Sequence, residues 1–357
     1  MPRIHDIAER ANVSIATVSR VFNNSGYVTQ SKRMAVLKAA EELGYTPPEK
    51  SKRTYEKMAN DIVGVVVSDI NNPFFSEAIK GMMEVFRKHD INMLICDTDE
   101  SPEQEIKALQ TLRREKVGGI IITPVSGSVE YNAEYLKELN GLGIPIVLLD
   151  RDIKLSGFDG VFLDSFKGAF DAVNTLIANG HTEIAIIAGL ITSKPGIDRL
   201  EGYLEALRLN NLPIREEYIL YGDFRKESAY ELTYKLLENR KEVTAIFSSN
   251  NMMSVGCIEA ITNLGLKIPD DIAFVSFDDF YLFGSGGFNI SAISRPTMQM
   301  GVEAAKVLTS HLKKGKRYKD EMSKRIILSP HLVLRGSEQF PKNRRAAAFA
   351  AAPPEFR

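Results

Sequence analysis

The stretch that decides the fold lies near the amino terminus and reads Ile4-His-Asp-Ile-Ala-Glu-Arg-Ala11-Asn-Val-Ser14-Ile-Ala-Thr-Val-Ser-Arg20-Val-Phe22. Its apolar residues recur at helical spacing as far as Ala11, where the pattern is interrupted. Ser14 is a favourable N-cap for a second short helix, whose inward side chains are Val18, Val21 and Phe22. This arrangement predicts a helix-turn-helix.

The outward face of the second predicted helix is suited to entering the major groove of DNA. Its side chains are small or carry hydroxyl groups, and one guanidinium has the fork geometry that reads guanine. The alternative is a helical hairpin packed on another domain, but such a hairpin has no reason to keep its outer face small and free of acidic residues. The outward residues are Ile15, Ala16, Thr17, Ser19 and Arg20.

Charge is distributed unevenly along the 357 residues, although the net charge is only −1. The first sixty residues contain ten Lys and Arg against six Asp and Glu, and the rest of the chain is acidic. This asymmetry predicts a small phosphate-facing head on a larger body. No apolar run reaches the ~20 residues of a membrane span, and no secretory signal precedes the head, so we expect a cytoplasmic protein without a membrane partner.

Cysteine and histidine usage gives no indication of a metal site or a cofactor. Cys96 and Cys257 lie in apolar runs without pair spacing or neighbouring histidines, which favours buried reduced thiols over a disulfide. The phosphate-binding, nucleophile-elbow and zinc-protease motifs of common enzymes are absent from the sequence, so we do not expect catalysis.

The predicted boundaries divide the chain into a head at 1–47, a linker at 48–60, a body at 61–337 and a tail at 338–357. A third helix is expected from Gln30 to about Leu43, capped by Thr29 and stopped by Gly44. The low-complexity tail is interpreted as a disordered end or a remnant of an expression vector.

Within the body, short β-branched runs alternate with amphipathic helical patterns, which predicts an α/β fold of two similar lobes with parallel sheets. Ligands of such sheets bind beyond the carboxyl ends of the strands. The expected strands are Ile62–Val67, Asn92–Ile95, Gly119–Thr123, Ile146–Leu149, Val161–Leu163, Ile184–Ala188, Ile219–Gly222, Ala245–Ser248 and Ile272–Phe277. The expected helices are Phe75–His89, Glu103–Glu115, Phe166–Asn179, Asp198–Leu209, Ser228–Asn239 and Met252–Leu264.

Several of these motifs, taken in order, resemble the LacI/GalR (lactose-repressor) family of bacterial transcription regulators. The head motif is followed by landmarks spread over the chain as far as about Ser337: Asp69-Ile-Asn-Asn-Pro-Phe-Phe75, Gly180-His-Thr-Glu, Arg199-Leu-Glu-Gly-Tyr, Ser276-Phe-Asp-Asp and Leu332-Val-Leu-Arg-Gly-Ser. The resemblance implies an all-α helix-turn-helix headpiece followed by a two-lobed body similar to periplasmic sugar-binding proteins. It also implies a homodimer on a near-palindromic operator, with dimer contacts from the helices after Phe75 and Asn251.

For the headpiece, the resemblance implies base contacts from Ile15, Ala16 and Arg20. It implies that Thr17, Ser19, Tyr45 and the helix N-termini contact phosphate or hold the register on the DNA.

The family linker forms a hinge helix that wedges a leucine into the minor groove, whereas this chain has Thr54 at that position. Three interpretations follow. Tyr55 or Met58 supplies the wedge from a shifted helix, the basic residues Lys50, Lys52 and Arg53 grip phosphate, or the segment is a solvated charged spacer.

For the body, the resemblance implies an effector pocket in which aromatic faces stack on a sugar ring and polar groups bind its hydroxyls. The matching residues are Asn72, Phe74, Phe75, Asp150, Arg151, Arg199, Phe224, Asn250, Asp278 and Arg295. Structural alternatives remain for each set: an Asn N-cap followed by two core aromatics, structural ion pairs for the charged residues, and a core position for Phe224.

The three arginines favour a negatively charged effector, such as a sugar acid or sugar phosphate, over a neutral sugar. The predicted function is therefore a DNA-binding repressor whose operator affinity is controlled by a small sugar-like effector through allostery. A cytoplasmic sugar-binding protein without a DNA role is the alternative. The leucine heptad of tetrameric relatives is absent after Ser337.

Overall fold

A computed structural model of the protein describes residues 3–23, 26, 28–45, 61–125, 132–284, 289–315 and 322–342. The headpiece contains three helices: α1 (Ile4–Arg10), α2 (Ile15–Asn23) and α3 (Gln30–Glu42). Their inward side chains form one small core, in which Ile7, Val18 and Val36 are completely buried. Arg10 on α1 pairs with Glu42 on α3 at 2.8 Å, which fixes the first helix against the third.

The turn between α1 and α2 has the local chemistry expected of a tight helix-turn-helix. Asn12 adopts a positive φ of 49°, a conformation that asparagine tolerates better than most residues. The Oγ of Ser14 accepts a hydrogen bond from the backbone N–H of Thr17 at 3.2 Å, so the predicted N-cap is confirmed. Thr29 does precede α3, but its hydroxyl makes no cap hydrogen bond and contacts Ser31 Oγ instead.

The body consists of two lobes with the same strand order. In lobe 1 the sheet order is β11-β5-β4-β3-β1-β2, and all strands are parallel. Its strands are β1 (Ile62–Val67), β2 (Asn92–Asp97), β3 (Ile120–Ile122), β4 (Ile146–Leu149), β5 (Asp159–Leu163) and β11 (Arg325–Leu328), and its helices are α4 (Pro73–Arg87), α5 (Pro102–Arg114), α6 (Asn132–Gly141) and α11 (Thr297–Lys314).

In lobe 2 the order is β12-β10-β9-β8-β6-β7, with only β12 antiparallel to its neighbour among the described strands. The strands are β6 (Ile184–Ala188), β7 (Ile219–Tyr221), β8 (Ala245–Ser248), β9 (Ala273–Phe277), β10 (Ser291–Ser294) and β12 (His331–Val333), and the helices are α7 (Ser165–Ala178), α8 (Lys194–Leu209), α9 (Lys226–Asn239) and α10 (Asn251–Asn263). The chain passes between the lobes near Asp164, Arg295 and Ser329, so their carboxyl-terminal strand edges face one another.

Helices α4 and α11 pack closely on one face of the lobe 1 sheet because two glycines let their backbones approach. A Cβ atom on Gly81 would lie 2.1 Å from the carbonyl oxygen of Met298, and one on Gly301 would lie 1.9 Å from that of Ala78. Apolar residues from this face and from the α7–α8 face of lobe 2 form the largest core cluster.

The predicted two-lobed parallel architecture is confirmed, and four predicted strands have the observed bounds. The pattern analysis missed β10, β11, β12, α6 and α11. The predicted tail boundary at 338 is wrong, since residues 338–342 belong to lobe 2. There His181 Nε2 lies 3.2 Å from the carbonyl oxygen of Glu338, and its ring stacks on Phe340. Cys257 is buried as expected, Cys96 is only half-buried, and both are free thiols.

Candidate DNA-reading helix and effector cleft

The outward face of α2 is accessible in the headpiece. Ile15 is 50% exposed, Ala16 and Arg20 are exposed, and Thr17 and Ser19 are half-buried. The aliphatic part of Arg20 runs beside Gly26, where a Cβ would lie 3.7 Å from Arg20 Cδ. The helix therefore presents an isoleucine, an alanine and a guanidinium together on one surface, as DNA readout requires.

The other residues predicted to contact DNA are Tyr45 and the linker residues, and the structure describes only Tyr45. Tyr45 is half-buried, its ring centroid 5.7 Å from that of Phe22, so its aromatic ring is part of the head core. Any phosphate contact from Tyr45 must therefore come from its hydroxyl tip. The linker residues Lys50, Lys52, Arg53, Thr54 and Tyr55, together with Met58, lie outside the described residues, as do residues 343–357.

All ten residues predicted for the effector pocket line a single narrow cleft between the carboxyl edges of the two sheets. In lobe 1, the N-cap and first turn of α4 supply Asn72, Phe74 and Phe75, and the loop after β4 supplies Asp150 and Arg151. Lobe 2 and the crossing segment supply Arg199, Phe224, Asn250, Asp278 and Arg295. Sequence reasoning missed Ser68, Asp69, Glu100, Pro195, Asp223 and Arg225. Asp69 was within a quoted motif and follows a strand, which was a usable signal.

The lobe 2 wall contains polar atoms that are buried and lack hydrogen-bond partners. Both carboxylate oxygens of Asp278, the Nε of Arg199 and the Oγ of Ser249 are in this state. Asp278 Oδ1 does lie 2.6 Å from Arg295 Nε, which provides charge compensation without a well-directed hydrogen bond. Because an unsatisfied buried polar group costs free energy, this set of acceptors and a donor suits a polar ligand.

The guanidiniums of Arg199 and Arg295 each stack on an aromatic ring. The guanidinium of Arg199 lies 3.9 Å from the ring centroid of Phe277 and donates to the carbonyl oxygen of Ser249 at 2.6 Å. That of Arg295 lies 3.9 Å from the centroid of Phe74 and also pairs with Asp150 at 3.0 Å. Burial lowers the pKa of Arg199 to about 10, while neighbouring Asp278 opposes that shift, so the group is cationic at neutral pH.

Arg151 is committed to lobe 1 itself. It forms two hydrogen bonds with Glu100, at 2.7 and 2.5 Å, and donates to the carbonyl oxygens of Pro124 and Val125. The structural ion pair considered for this residue is thus present, with a partner that the sequence analysis did not identify. The expected surplus of positive charge is not observed, because the cleft lining has five carboxylates and four guanidiniums.

The two predicted asparagines act as helix caps at the cleft. Asn72 Oδ1 accepts hydrogen bonds from Phe74 N and from Asn251 Nδ2 of lobe 2, both at 3.0 Å. Asn250 Oδ1 accepts from Met253 N, and its Nδ2 donates to the carbonyl oxygen of Phe224. Both groups are therefore engaged within the protein, which confirms the N-cap alternative for Asn72.

The aromatic residues differ in what they present to the cleft. Phe75 is 4% exposed and belongs to the main core, and Phe74 is covered by Arg295. Phe224 is half-buried, with Arg151 and Arg199 at 5.6 and 5.9 Å from its ring centroid. Its φ of +70°, like the +77° of Asp278, is an uncommon conformation of the kind that concentrates at ligand sites. Phe224 is therefore the ring best placed to contact a ligand.

Comparisons with known proteins cover both parts of the chain. Residues 3–48 match the family described as bacterial regulatory proteins, lacI family, and residues 60–335 match periplasmic binding proteins and the sugar binding domain of the LacI family. The chain belongs to the LacI family of bacterial regulatory proteins. It is a DNA-binding transcriptional regulator, as the resemblance implied, and its relatives are regulators rather than enzymes.

Among the relatives of this LacI-family regulator is the HTH-type transcriptional regulator DegA of Bacillus subtilis (strain 168), which is 34% identical over 335 residues, covering 94% of this chain and 97% of the relative. Catabolite control protein A of Priestia megaterium is 31% identical over 331 residues, covering 92% and 97%. A solved complex of the transcriptional regulator CelR with cellobiose superposes with a TM-score of 0.70 at 27% identity, covering 94% of this chain and 100% of that one.

These matches support the regulator over a sugar-binding protein without a DNA role. None of the described helices of this LacI-family regulator is both long and apolar enough to span a membrane.

Proposed function

We propose that this regulator represses transcription as a homodimer on a near-palindromic operator, and that a small, uncharged, polyhydroxylated effector bound in the interlobe cleft controls its operator affinity. The observation that supports the DNA role is the exposed face of α2 with Ile15, Ala16 and Arg20 together. The observation that supports the effector role is the set of buried polar atoms of Asp278 and Arg199 in the cleft that make no hydrogen bond within the protein.

A sugar hydroxyl matches this cleft because it both donates and accepts hydrogen bonds. One hydroxyl can donate to a carboxylate oxygen of Asp278 while accepting from the Nε of Arg199. The face of Phe224 then offers an apolar surface to the C–H side of a sugar ring. The solved structure of the regulator CelR is a complex with cellobiose, a neutral sugar, which supports a neutral effector for this chain.

We favour a neutral effector over the sugar acid or sugar phosphate expected from the three arginines. Arg151 is neutralised by Glu100, and Arg295 lies between Asp150 and Asp278. An anionic effector would have to sit beside the buried carboxylate of Asp278, where repulsion is weakly screened. Arg199, opposite that carboxylate, cannot offset the repulsion alone.

The DNA role is tested by selecting bound duplexes from a library with a randomised centre, using the full-length protein. We expect enrichment of a site with two related half-sites about one helical turn, or 10 base pairs, apart. Recovery of random sequences would contradict the proposal of sequence-specific operator binding.

The effector role is tested by calorimetry with matched pairs: glucose against glucose 6-phosphate, glucose against glucuronate, and ribose against ribose 5-phosphate, with cellobiose as a further neutral sugar. We expect heat of binding for a neutral member and none for its acidic counterpart. Tight binding of acidic members alone would overturn the proposal of a neutral effector while leaving the DNA role intact.

A further inference from the structure

The amino-terminal edge of the lobe 1 sheet is the face at which the chain enters the body from the headpiece. Residues 46–60 lead directly to Asp61, the residue before β1. The neighbouring strands begin at the same edge, because Asn92 N donates to the carbonyl oxygen of Asp61 and Gly118 N donates to that of Ile62. The headpiece is therefore tethered to this edge of lobe 1.

Three helices end at this edge. Hydrogen bonds from Ile91 N to Phe86 O and from Val117 N to Leu112 O close the turns after α4 and α5. At the end of α11, His311 contacts Asp159 at the start of β5. The last turns of these three helices, together with the turns after α4 and α5, thus share one surface.

This surface is basic overall, although Asp61 and Asp90 lie in the same turns. Its exposed cationic side chains form a group that we call the basic rim: Arg87, Lys88, Lys116, Lys313, Lys314 and Lys324. The part of the chain that the structure describes provides no ion-pair partner for Arg87, Lys88, Lys116 or Lys313. Nearby, Arg113 pairs with Glu138 and Arg114 pairs with Glu115, so these two ion pairs add no net charge to the surface.

Lobe 2 provides an internal comparison, because the same fold there lacks this surplus. The turns at its matching edge carry acidic residues interleaved with the arginines and lysines: Glu183, Glu216, Glu217, Glu242, Asp270 and Asp271. The helix dipole favours cations at helix ends equally in both lobes. The helix dipole therefore does not explain why the edge of lobe 1 alone is cationic. The headpiece does, because it is tethered to this edge and binds DNA.

We infer that the basic rim is a second DNA-facing surface, which attracts the phosphates of the duplex held by the headpieces. Phosphates are strong anions, and unpaired lysine and arginine side chains bind them without regard to base sequence. The rim would raise affinity for any duplex and leave base discrimination to α2. In a dimer both rims would act on the same duplex.

The test uses the full-length protein and a random-sequence duplex of about 40 base pairs, long enough for two half-sites and their flanks. The rim variant is R87Q/K88Q/K116Q/K313Q. The matched control R208Q/R240Q/K241Q/K267Q removes the same charge from the corresponding edge of lobe 2. Binding is followed by fluorescence anisotropy between ~50 and ~200 mM salt, the range over which phosphate contacts alter affinity most clearly.

We expect the rim variant to lose about two phosphate contacts, so that its logarithmic salt slope falls by about two, at about 0.9 for each contact, and its binding at ~100 mM salt weakens by roughly 50- to 100-fold. The control should bind like the original protein. Equal losses in the two variants, or none in the rim variant, would overturn the inference. If the rim variant fails to fold, R87Q/K88Q and K116Q/K313Q are each expected to give about half the change in slope.

Discussion

The guanidinium of Arg151 faces the carboxylate of Glu100 through two hydrogen bonds, Nη1 to Oε2 at 2.7 Å and Nη2 to Oε1 at 2.5 Å. Their side chains are only 6% and 13% exposed, so water and salt screen the attraction between the two charges only weakly. Glu100 adopts a positive φ of 56° directly after Asp99, which has a φ of 47°. Two successive uncommon conformations thus bring Glu100 to Arg151.

We predict that Glu100→Gln opens the cleft to anions by freeing Arg151. Added inorganic phosphate should then stabilise the variant against unfolding by about 1 to 2 kcal/mol at roughly ten to thirty times its Kd, and should leave the original protein unchanged relative to chloride at equal ionic strength. Thermal unfolding measures this effect.

Glu103→Gln is the control for this prediction, because Glu103 is exposed on the first turn of α5, where it bonds to nearby Ser101. The double variant E100Q/R151M should lose the phosphate response. A response of equal size in E103Q would show that phosphate acts elsewhere.

Asp99 joins the two lobes across the mouth of the cleft. Its carboxylate and its carbonyl oxygen both accept from Arg225 Nη2 of lobe 2, at 2.8 and 3.1 Å. Because the side chains are 72% and 46% exposed, we expect Asp99→Asn to change the closed-to-open ratio of the lobes only about two- to five-fold.

Pulsed electron paramagnetic resonance between spin labels at positions 103 and 227, in a protein without its native thiols, measures the interlobe distance. The D99N protein should show a larger long-distance population, and the charge exchange D99R/R225D should restore the original distribution. Identical distributions in all three proteins would contradict a role for the pair in closure.

The packing of α4 on α11 predicts a large effect of a single methyl group. Gly301→Ala places a Cβ where the Ala78 carbonyl oxygen already lies, so the helices must separate, at a cost of about 2 to 3 kcal/mol in the free energy of unfolding. Gly141→Ala is the matched control, since a Cβ there meets no atom within 4 Å. Urea unfolding should show G141A within about 0.5 kcal/mol of the original protein. A comparable loss in both variants would mean that helix packing is not the cause.

Burial raises the pKa of the Cys257 thiol to about 11, so the folded protein retains this proton more strongly than the unfolded chain does. The resulting stabilisation is complete below the usual value of 9.0 and falls as the pH rises towards about 11. At pH ~8 we expect a thiol reagent to modify Cys257 only after unfolding, and to modify half-buried Cys96 first. Mass spectrometry of the labelled chain identifies the order, and early labelling of Cys257 in the folded protein would contradict it.

How much of the fold could be predicted depended on the strength of the local pattern. Buried runs such as Ile184–Ala188 and Ala245–Ser248 are continuous and apolar, so their bounds were predicted as observed. Edge strands β11 and β12 are short, and exposed residues are interspersed along them. Helix α6 is largely polar. The sequence therefore shows no clear strand or helix pattern at these three elements.

The cleft shows the same division between local and long-range information. Residues that follow strands, such as Asp150 and Asp278, could be placed because the carboxyl ends of parallel strands meet at one edge. Their charge partners could not be predicted. Glu100 lies 51 positions from Arg151, and Arg295 lies 145 from Asp150, so no sequence pattern joins them. The net charge of the cleft could therefore be determined only from the structure.

Arg20 provides the sharpest test of how the headpiece reads DNA, because lysine keeps its charge but not its planar fork. We predict that Arg20→Lys leaves the affinity for random duplexes and the salt slope nearly unchanged. At one base pair in each half-site, the variant should lose about 1 to 3 kcal/mol of discrimination, the amount expected of one bidentate contact with guanine.

Duplex selection with the R20K protein measures this loss position by position, and Lys38→Gln, a charge change on the exposed side of α3, is the control. The R20K outcome is the reverse of that expected for the basic rim, whose loss changes the salt slope and leaves base preference intact. If R20K retains full discrimination at every position, then base readout does not depend on the Arg20 fork. The specificity of α2 would in that case rest on contacts that do not need the planar fork, such as those of Ile15 and Ala16.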